Sequence, residues 1–191
     1  MADPNETLAA TADLGPLVET YGPKRLEPAD DLFQRMVTSV CNQQVSTAAG
    51  RSIRESLFDA VRITPSGVRA VEEDVLREAG LSRQKCRYVR NIARWFESEE
   101  SSRDRLAALS DEEVTSELTS ITGVGDWTAK MTLVFGLGRS DVFPVEDLAI
   151  RRAMTAQFGD ESRAAMRDRA DCWQPYRSYA ALYLWDSYEA N

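Results

Sequence analysis

Two stretches of this chain combine residue types and spacings that could do chemistry. One is Phe143-Pro144-Val145-Glu146-Asp147-Leu148-Ala149-Ile150, with adjacent carboxylates at Glu146 and Asp147; the other runs from Leu118 to Ala129 and contains Gly123-Val124-Gly125. The sequence has no histidine, so acid–base chemistry must come from carboxylates, tyrosines, lysines or cysteines. A carboxylate in the first turn of a helix could stabilise a developing positive charge or activate a water molecule. The plainer explanation is an electrostatic cap on that helix.

The glycine pair offers a different chemistry. Two glycines one residue apart let the backbone turn sharply and approach a ligand with no side chain in the way. The helix that follows presents free N–H groups, a site for an anion such as a phosphate. A plain turn between two helices is the alternative. Cys41, Cys86 and Cys172 are far apart and form no CxxC pair, so they build neither a zinc site nor an iron–sulfur cluster, and all three read as free buried thiols.

The elements that must position these groups are helical throughout. Apolar residues at Phe33, Met36, Val37, Val40 and Cys41 follow Asp31 at helical spacing, and Ser46 caps a helix carrying Ile53, Leu57 and Phe58. Thr64-Pro65-Ser66-Gly67 reads as a break, Gly80 as the residue closing a short helix, and Ser82 as the start of a long one reaching Phe96. The polar run 97–102 reads as a solvated loop. Ser110 with Glu113 fits a capping box for a helix through Val114, Leu118 and Ile121. Beyond the Thr122-Gly123-Val124-Gly125 turn, a helix is expected from Asp126 to about Leu137. Asp141 to Val145 is extended because Pro144 disfavours helix before it. Helix resumes near Glu146 with Leu148, Ile150 and Met154, and a last helix holds Trp173, Tyr176, Tyr183, Leu184 and Trp185. No stretch has the period-2 pattern of a strand, so the fold class is all-α.

At 191 residues and 43% apolar, the chain can bury a core as one domain or two small lobes. It lacks a run of transmembrane length, and its N-terminus lacks the order of a signal peptide, so a protein of the cell interior with no membrane contact is expected. The net charge of −8 argues, taken alone, against a nucleic-acid partner. Lys24, Lys85 and Lys130 are the only lysines. An acidic, lysine-poor balance of this kind suits surroundings where salt screens self-repulsion.

The combination of a hairpin, I-x-G-V-G-x-W-T-A, with V-F-P-x-x-D-L-x-I about twenty residues later resembles the HhH-GPD superfamily of DNA glycosylases, in its AlkA-type 3-methyladenine branch. Asn42-Gln43-Gln44-Val45-Ser46, Gly80-Leu81-Ser82 with Lys85 and Tyr88, and Trp173-x-Pro175-Tyr176-Arg177-Ser178 ending in Leu184-Trp185 agree with it. The resemblance spans roughly Leu26 to Trp185. It implies a helix-hairpin-helix fold of two helical lobes with the active-site cleft between them. Residues 1–25 would pack on or extend the helical core, and residues 26–191 would form the glycosylase domain, with its hairpin at 118–129.

The same resemblance assigns roles. Asp147 matches the family carboxylate that stabilises an oxocarbenium-like sugar or activates water, with Glu146 supporting it. Gly123, Val124, Gly125 and Thr128 would hold the DNA backbone. The carbonyls of Thr119, Ile121 and Val124 would bind a monovalent cation, Na+ or K+, and no other cofactor is expected. Where some members carry a Schiff-base lysine, this chain has Trp127, and Lys130 lies nearly a helical turn further on; hydrolysis without strand cleavage follows. Trp185 and Trp127 would stack on a flipped base, though a core role suits either. Met131 stands where the pocket of the branch has a tyrosine, and there is no room before Leu26 for the branch's β-rich N-terminal domain. Gln44, beside Gln43, occupies the position of the residue that fills the gap left by the flipped base, and it also reads as an ordinary polar residue at a helix end.

The implied protein is a monomer acting on damaged double-stranded DNA in the cytoplasm, associated with the nucleoid. Alkylated bases such as 3-methyladenine are its expected substrates, because cationic bases stack well on indole and leave readily. Uracil, hypoxanthine or an oxidised purine are alternatives on the same scaffold. A non-catalytic helix-hairpin-helix DNA-binding protein is a further one.

Overall fold

The computed structural model describes residues 2–98, 103–159 and 162–190. Residues 99–102, most of the run read as a solvated loop, lie outside these. The described residues contain thirteen α-helices and no strand. None of these helices is long and apolar enough to cross a membrane. By internal packing the chain forms two units, one made of Met1–Pro28 with Gly138–Asn191 and the other of Ala29–Leu137.

The Ala29–Leu137 unit begins with α3 (Leu32–Asn42), whose N-cap Asp31 accepts the Gln34 N–H at 2.9 Å. Its apolar stripe, including Phe33, Met36, Val37 and Val40, is buried. It packs against α4 (Thr47–Ala60) and α7 (Arg83–Phe96). Ser46 and Ser82 cap these two helices as their positions in the sequence imply, accepting from Ala49 N–H at 3.3 Å and Lys85 N–H at 3.2 Å. The supposed break at Thr64-Pro65-Ser66-Gly67 is instead a helix start. Thr64 caps α5 (Pro65–Ala70), and Pro65 occupies the first turn, where its missing N–H costs nothing. In α6 (Glu73–Glu78), Gly80 takes the C′ place of a Schellman closure: its N–H bonds Arg77 O at 2.9 Å and the Leu81 N–H bonds Leu76 O at 3.2 Å.

The helix after α8 (Arg103–Ala108) is α9 (Asp111–Thr119), and the reciprocal Ser110–Glu113 capping box is formed in full. The Ser110 backbone N–H, and after it the Ser110 hydroxyl, hold the exposed Glu113 carboxyl below its ordinary pKa. Ile121 lies outside α9, which ends at Thr119. The following helix is not uniform either: α10 (Asp126–Met131) gives way to a π-helical turn over Thr132–Gly136, with Leu137 N–H bonded to Thr132 O at 2.9 Å. There the Thr132 hydroxyl donates to Thr128 O at 2.8 Å, a side chain competing for a helical carbonyl.

The other unit is built on α11 (Leu148–Phe158) packed against α13 (Arg177–Glu189), with α12 (Arg163–Ala170) against α11. The sequence pattern suggested a single last helix from Trp173. The structure has a 3-10 turn over Asp171–Trp173, a cis Gln174–Pro175 bond, and Tyr176 as the N-cap of α13. Helix also resumes at Leu148 rather than Glu146, because Asp147 is the cap itself. The first residues form α1 (Pro4–Ala9) and α2 (Gly15–Tyr21), which pack on α13. Polar contacts fix them there: Tyr183 OH donates to Asn5 Oδ1 at 2.6 Å, Tyr176 OH donates to Ala2 O at 2.7 Å, and Lys24 pairs with Asp186.

Candidate functional site

Asp147 sits at the end of an extended segment that is tied down along its length. Ser178, wholly buried, donates its hydroxyl to Arg139 O at 2.7 Å and accepts the Val142 N–H at 2.9 Å. Arg177 forms a two-pronged pair with Asp141, with Nε to Oδ1 at 2.8 Å and an Nη to Oδ2 at 3.0 Å. Such a fork fixes orientation as well as distance. Phe143 packs edge-on against buried Trp173, with centroids 5.9 Å apart. The Trp173, Arg177 and Ser178 segment therefore has a purpose that spacing alone does not reveal: it anchors the strand of chain that delivers the carboxylate.

The turn closes with Asp147 N–H on Pro144 O at 2.9 Å, and Arg151 donates to the carbonyls of Val145 at 3.2 Å and Glu146 at 2.5 Å. Half-buried Asp147 then caps α11, its Oδ1 accepting the Ile150 N–H at 3.0 Å. The same oxygen accepts the Trp185 indole N–H at 3.1 Å. The cap and the catalytic reading of Asp147 are thus not exclusive, since the capping bond orients the carboxylate. Trp185, half-buried on α13, contacts Asp147 directly, a relation between residues 38 apart that no local pattern announces. Glu146 faces Arg167 at 3.5 Å and belongs to the support of the turn. Trp185→Phe keeps an aromatic surface but removes the donor. We expect it to slow any reaction at Asp147 by about five- to tenfold, the worth of about 1 kcal/mol for one half-exposed hydrogen bond, with unchanged thermal stability within about 1 kcal/mol; single-turnover rates and melting curves check it.

In the other unit, α9 and α10 meet in the hairpin. Val124 N–H bonds Ile121 O at 2.9 Å, Ile121 and Val124 are buried, and the Asn91 amide donates to Thr122 O at 3.0 Å. Gly123 has φ 106, and a Cβ there would lie 2.2 Å from the Tyr88 ring. This glycine is therefore dictated from within. Gly125 is different: its φ is −101, any residue could adopt it, and a Cβ would meet nothing within 4 Å. Its surroundings inside the chain do not call for a glycine.

Gln43 donates from one amide nitrogen to Gly123 O at 3.1 Å and Thr128 Oγ1 at 3.0 Å. It ties the α3–α4 turn to the hairpin, and Thr128 is buried behind it. Gln44, exposed beside 40%-exposed Val45, has φ 55, a left-handed conformation uncommon for a residue with a side chain. Gln43, Gln44, Lys85, Tyr88 and the Gly123–Gly125 backbone line a groove of about 610 Å³. Lys85 donates to Cys41 O at 2.9 Å, and desolvation lowers its pKa while Cys41 opposes the shift. No local pattern announces the structural roles of Lys85, Tyr88 and Asn91, because their partners Cys41, Gly123 and Thr122 lie more than thirty residues away. Trp127 is half-buried on α10 and Met131 is buried.

The thiols offer no nucleophile at Cys41 or Cys86. Burial pushes Cys41 up to about 11, against the opposing pull of Lys85 and Arg54, and raises Cys86 as well. Cys172, expected to be buried, is exposed, because it lies in the short 3-10 turn rather than on a helix face.

Comparison with known proteins agrees with this geometry. YfjP of Bacillus subtilis is 33% identical over 170 residues, 83% of this chain, which spans only 59% of that protein's length. DNA-3-methyladenine glycosylase 1 of Schizosaccharomyces pombe is 29% identical over 177 residues, covering 88% of this chain and 78% of the relative. The solved structure of the Schizosaccharomyces pombe 3-methyladenine DNA glycosylase Mag1 in complex with abasic DNA superimposes with a TM-score of 0.87 at 26% identity, covering 96% of this chain and 95% of that one. The family model of the HhH-GPD superfamily base excision DNA repair proteins matches residues 37–177, well over half of the sequence, and the chain belongs to that superfamily.

Proposed function

We propose that this protein is a monofunctional DNA glycosylase that hydrolyses the N-glycosidic bond of alkylated bases such as 3-methyladenine in double-stranded DNA. The observation that carries the reading is the Asp147 carboxylate, fixed through Oδ1 by Ile150 N–H and Trp185 Nε1–H in a chain of this superfamily. The names of the relatives support the choice of substrate.

The chemistry follows from the residues. The target nucleotide leaves the stack, at a cost of a few kcal/mol, and exposed Gln44 with Val45 fills the gap. Gln43 holds that turn to the hairpin rather than entering the DNA itself. The backbone at Gly123, Val124 and Gly125 receives the DNA phosphates, with Thr128 acting from behind through Gln43. As the base departs, positive charge grows at C1′, and the oriented Asp147 carboxylate stabilises it or accepts a proton from the attacking water. Trp185 both orients Asp147 and supplies apolar surface for the base. A cationic alkylated base is a good leaving group, so no acid of the kind histidine provides is required.

The hairpin turn, closed by Val124 N–H on Ile121 O, follows the C-terminal end of α9, the negative end of that helix, and its candidate donors are backbone carbonyls. This oxygen-only donor set fits a monovalent cation on Thr119, Ile121 and Val124, which would add positive charge next to a bound phosphate. The protein would work as a monomer at the nucleoid in the cytoplasm.

Incubation with a panel of duplexes, each carrying one lesion, tests the reading. Release of 3-methyladenine leaving an intact abasic strand is expected. Release of 8-oxoguanine but not of 3-methyladenine would reject the substrate. With Trp127 in place of an amine, borohydride should trap no covalent adduct on abasic DNA; a trapped adduct would reject the monofunctional assignment.

A further inference from the structure

We infer that a cleft on α7, lined by Arg87, Arg90 and Arg94 beside the hairpin, is a second binding site for the phosphodiester backbone of DNA. The three arginines recur at i, i+3 and i+7, which places them on one face of the helix. With Tyr88, Asn91 and Thr122 they enclose about 540 Å³. In a chain of net charge −8, three guanidiniums around one cleft make a local field opposite in sign to the whole.

The arginines are not equivalent. Arg90 is committed to the fold: it donates to Val71 O at 2.8 Å and stands 3.9 Å from Glu73. Arg87 and Arg94 are exposed and have no carboxylate partner among the described residues, and Arg94 donates to Asn91 Oδ1 at 3.2 Å. That bond orders the Arg94 head, and the Asn91 amide in turn holds Thr122 O of the hairpin at 3.0 Å. Tyr88 lines both this cleft and the groove at Gly123–Gly125. The cleft is therefore continuous with the hairpin, and a backbone held at Gly125 has a positively charged path onward. Guanidinium forks suit phosphate oxygens, and contacts to the backbone position without reading sequence.

This site rests on the proposed DNA-binding function, and the salt dependence of binding separates the two. Each phosphate contact contributes about 0.9 to the slope of log affinity against log salt. The probe is a duplex with an uncleavable abasic analogue, compared with the same duplex undamaged. The double variant Arg87→Gln with Arg94→Gln should flatten the slope by about two on both duplexes and weaken binding roughly tenfold or more near 0.15 M salt. Arg87→Lys with Arg94→Lys should restore the slope. Removing the same charge at exposed Arg62 and Arg77, which line neither cavity, should not flatten it. Base release by the Arg62 and Arg77 control should match the wild type. If the wild type binds and excises while the Gln variant keeps the wild-type slope, the cleft is not a phosphate site and the glycosylase reading stands. The inference also fails if the Arg62 and Arg77 control flattens the slope equally. If the wild type binds neither duplex, the glycosylase reading itself fails.

Discussion

Asp147→Asn is expected to cut base release by about 10²–10³-fold, the order of effect seen when one preorganised electrostatic group is removed from a transition state. The substitution isolates charge from architecture. Asparagine caps helices about as well as aspartate, and its Oδ1 can accept from both Ile150 N–H and Trp185 Nε1–H, as the carboxylate does. Melting temperature and affinity for abasic duplex should therefore stay near wild type while single-turnover release of 3-methyladenine collapses. Asp147→Ala would be less informative, since losing the cap costs about 1 kcal/mol on its own. Undiminished release by the Asn variant would remove Asp147 from the chemistry.

The hairpin glycines should separate just as cleanely in a second pair of variants. Gly123→Ala meets both a positive φ of 106 and the Tyr88 ring, so it should lower stability by about 1–3 kcal/mol from backbone strain alone. The displaced Tyr88 would add to this. DNA binding should fall with it, because the turn is held from below by that ring. Gly125→Val has room in front of its backbone and an ordinary φ, so its melting temperature should be nearly unchanged. Its affinity for duplex DNA should still drop by about tenfold or more, as a side chain now stands where a phosphate approaches. Equal melting and equal affinity for Gly125→Val would mean that nothing comes close to the backbone there.

Much of the helical framework is legible in the sequence because its signals are local. Ser46, Ser82 and the Ser110–Glu113 box mark helix starts within three residues of the groups they cap. The Gly123-Val124-Gly125 turn and the Asp147 position are equally short-range. What escaped is what depends on distant partners. The two helices within the first 21 residues pack on α13, and Ala2, Asn5 and Lys24 around them are held by Tyr176, Tyr183 and Asp186, more than 150 residues away in the chain. Thr64 looked like a break because proline interrupts helices, yet at the first helical position it begins one. Trp185 could be placed near a pocket, but its bond to Asp147 comes from packing between α11 and α13. The difference between Gly123 and Gly125 likewise needs the position of Tyr88, which no spacing rule gives.

The helix α7 has a last implication. Lys85 near its start bonds the carbonyl of Cys41 at the turn bearing Gln44, while Tyr88 and Asn91, further along, support the hairpin, and Gln43 joins turn and hairpin directly. Two loops that would otherwise sample many conformations are braced by one rigid rod. Their ordering entropy is then spent when the chain folds rather than when DNA arrives. With the function proposed above, the protein would gain from this in searching long stretches of undamaged duplex, because each brief encounter would find the gripping surface already shaped.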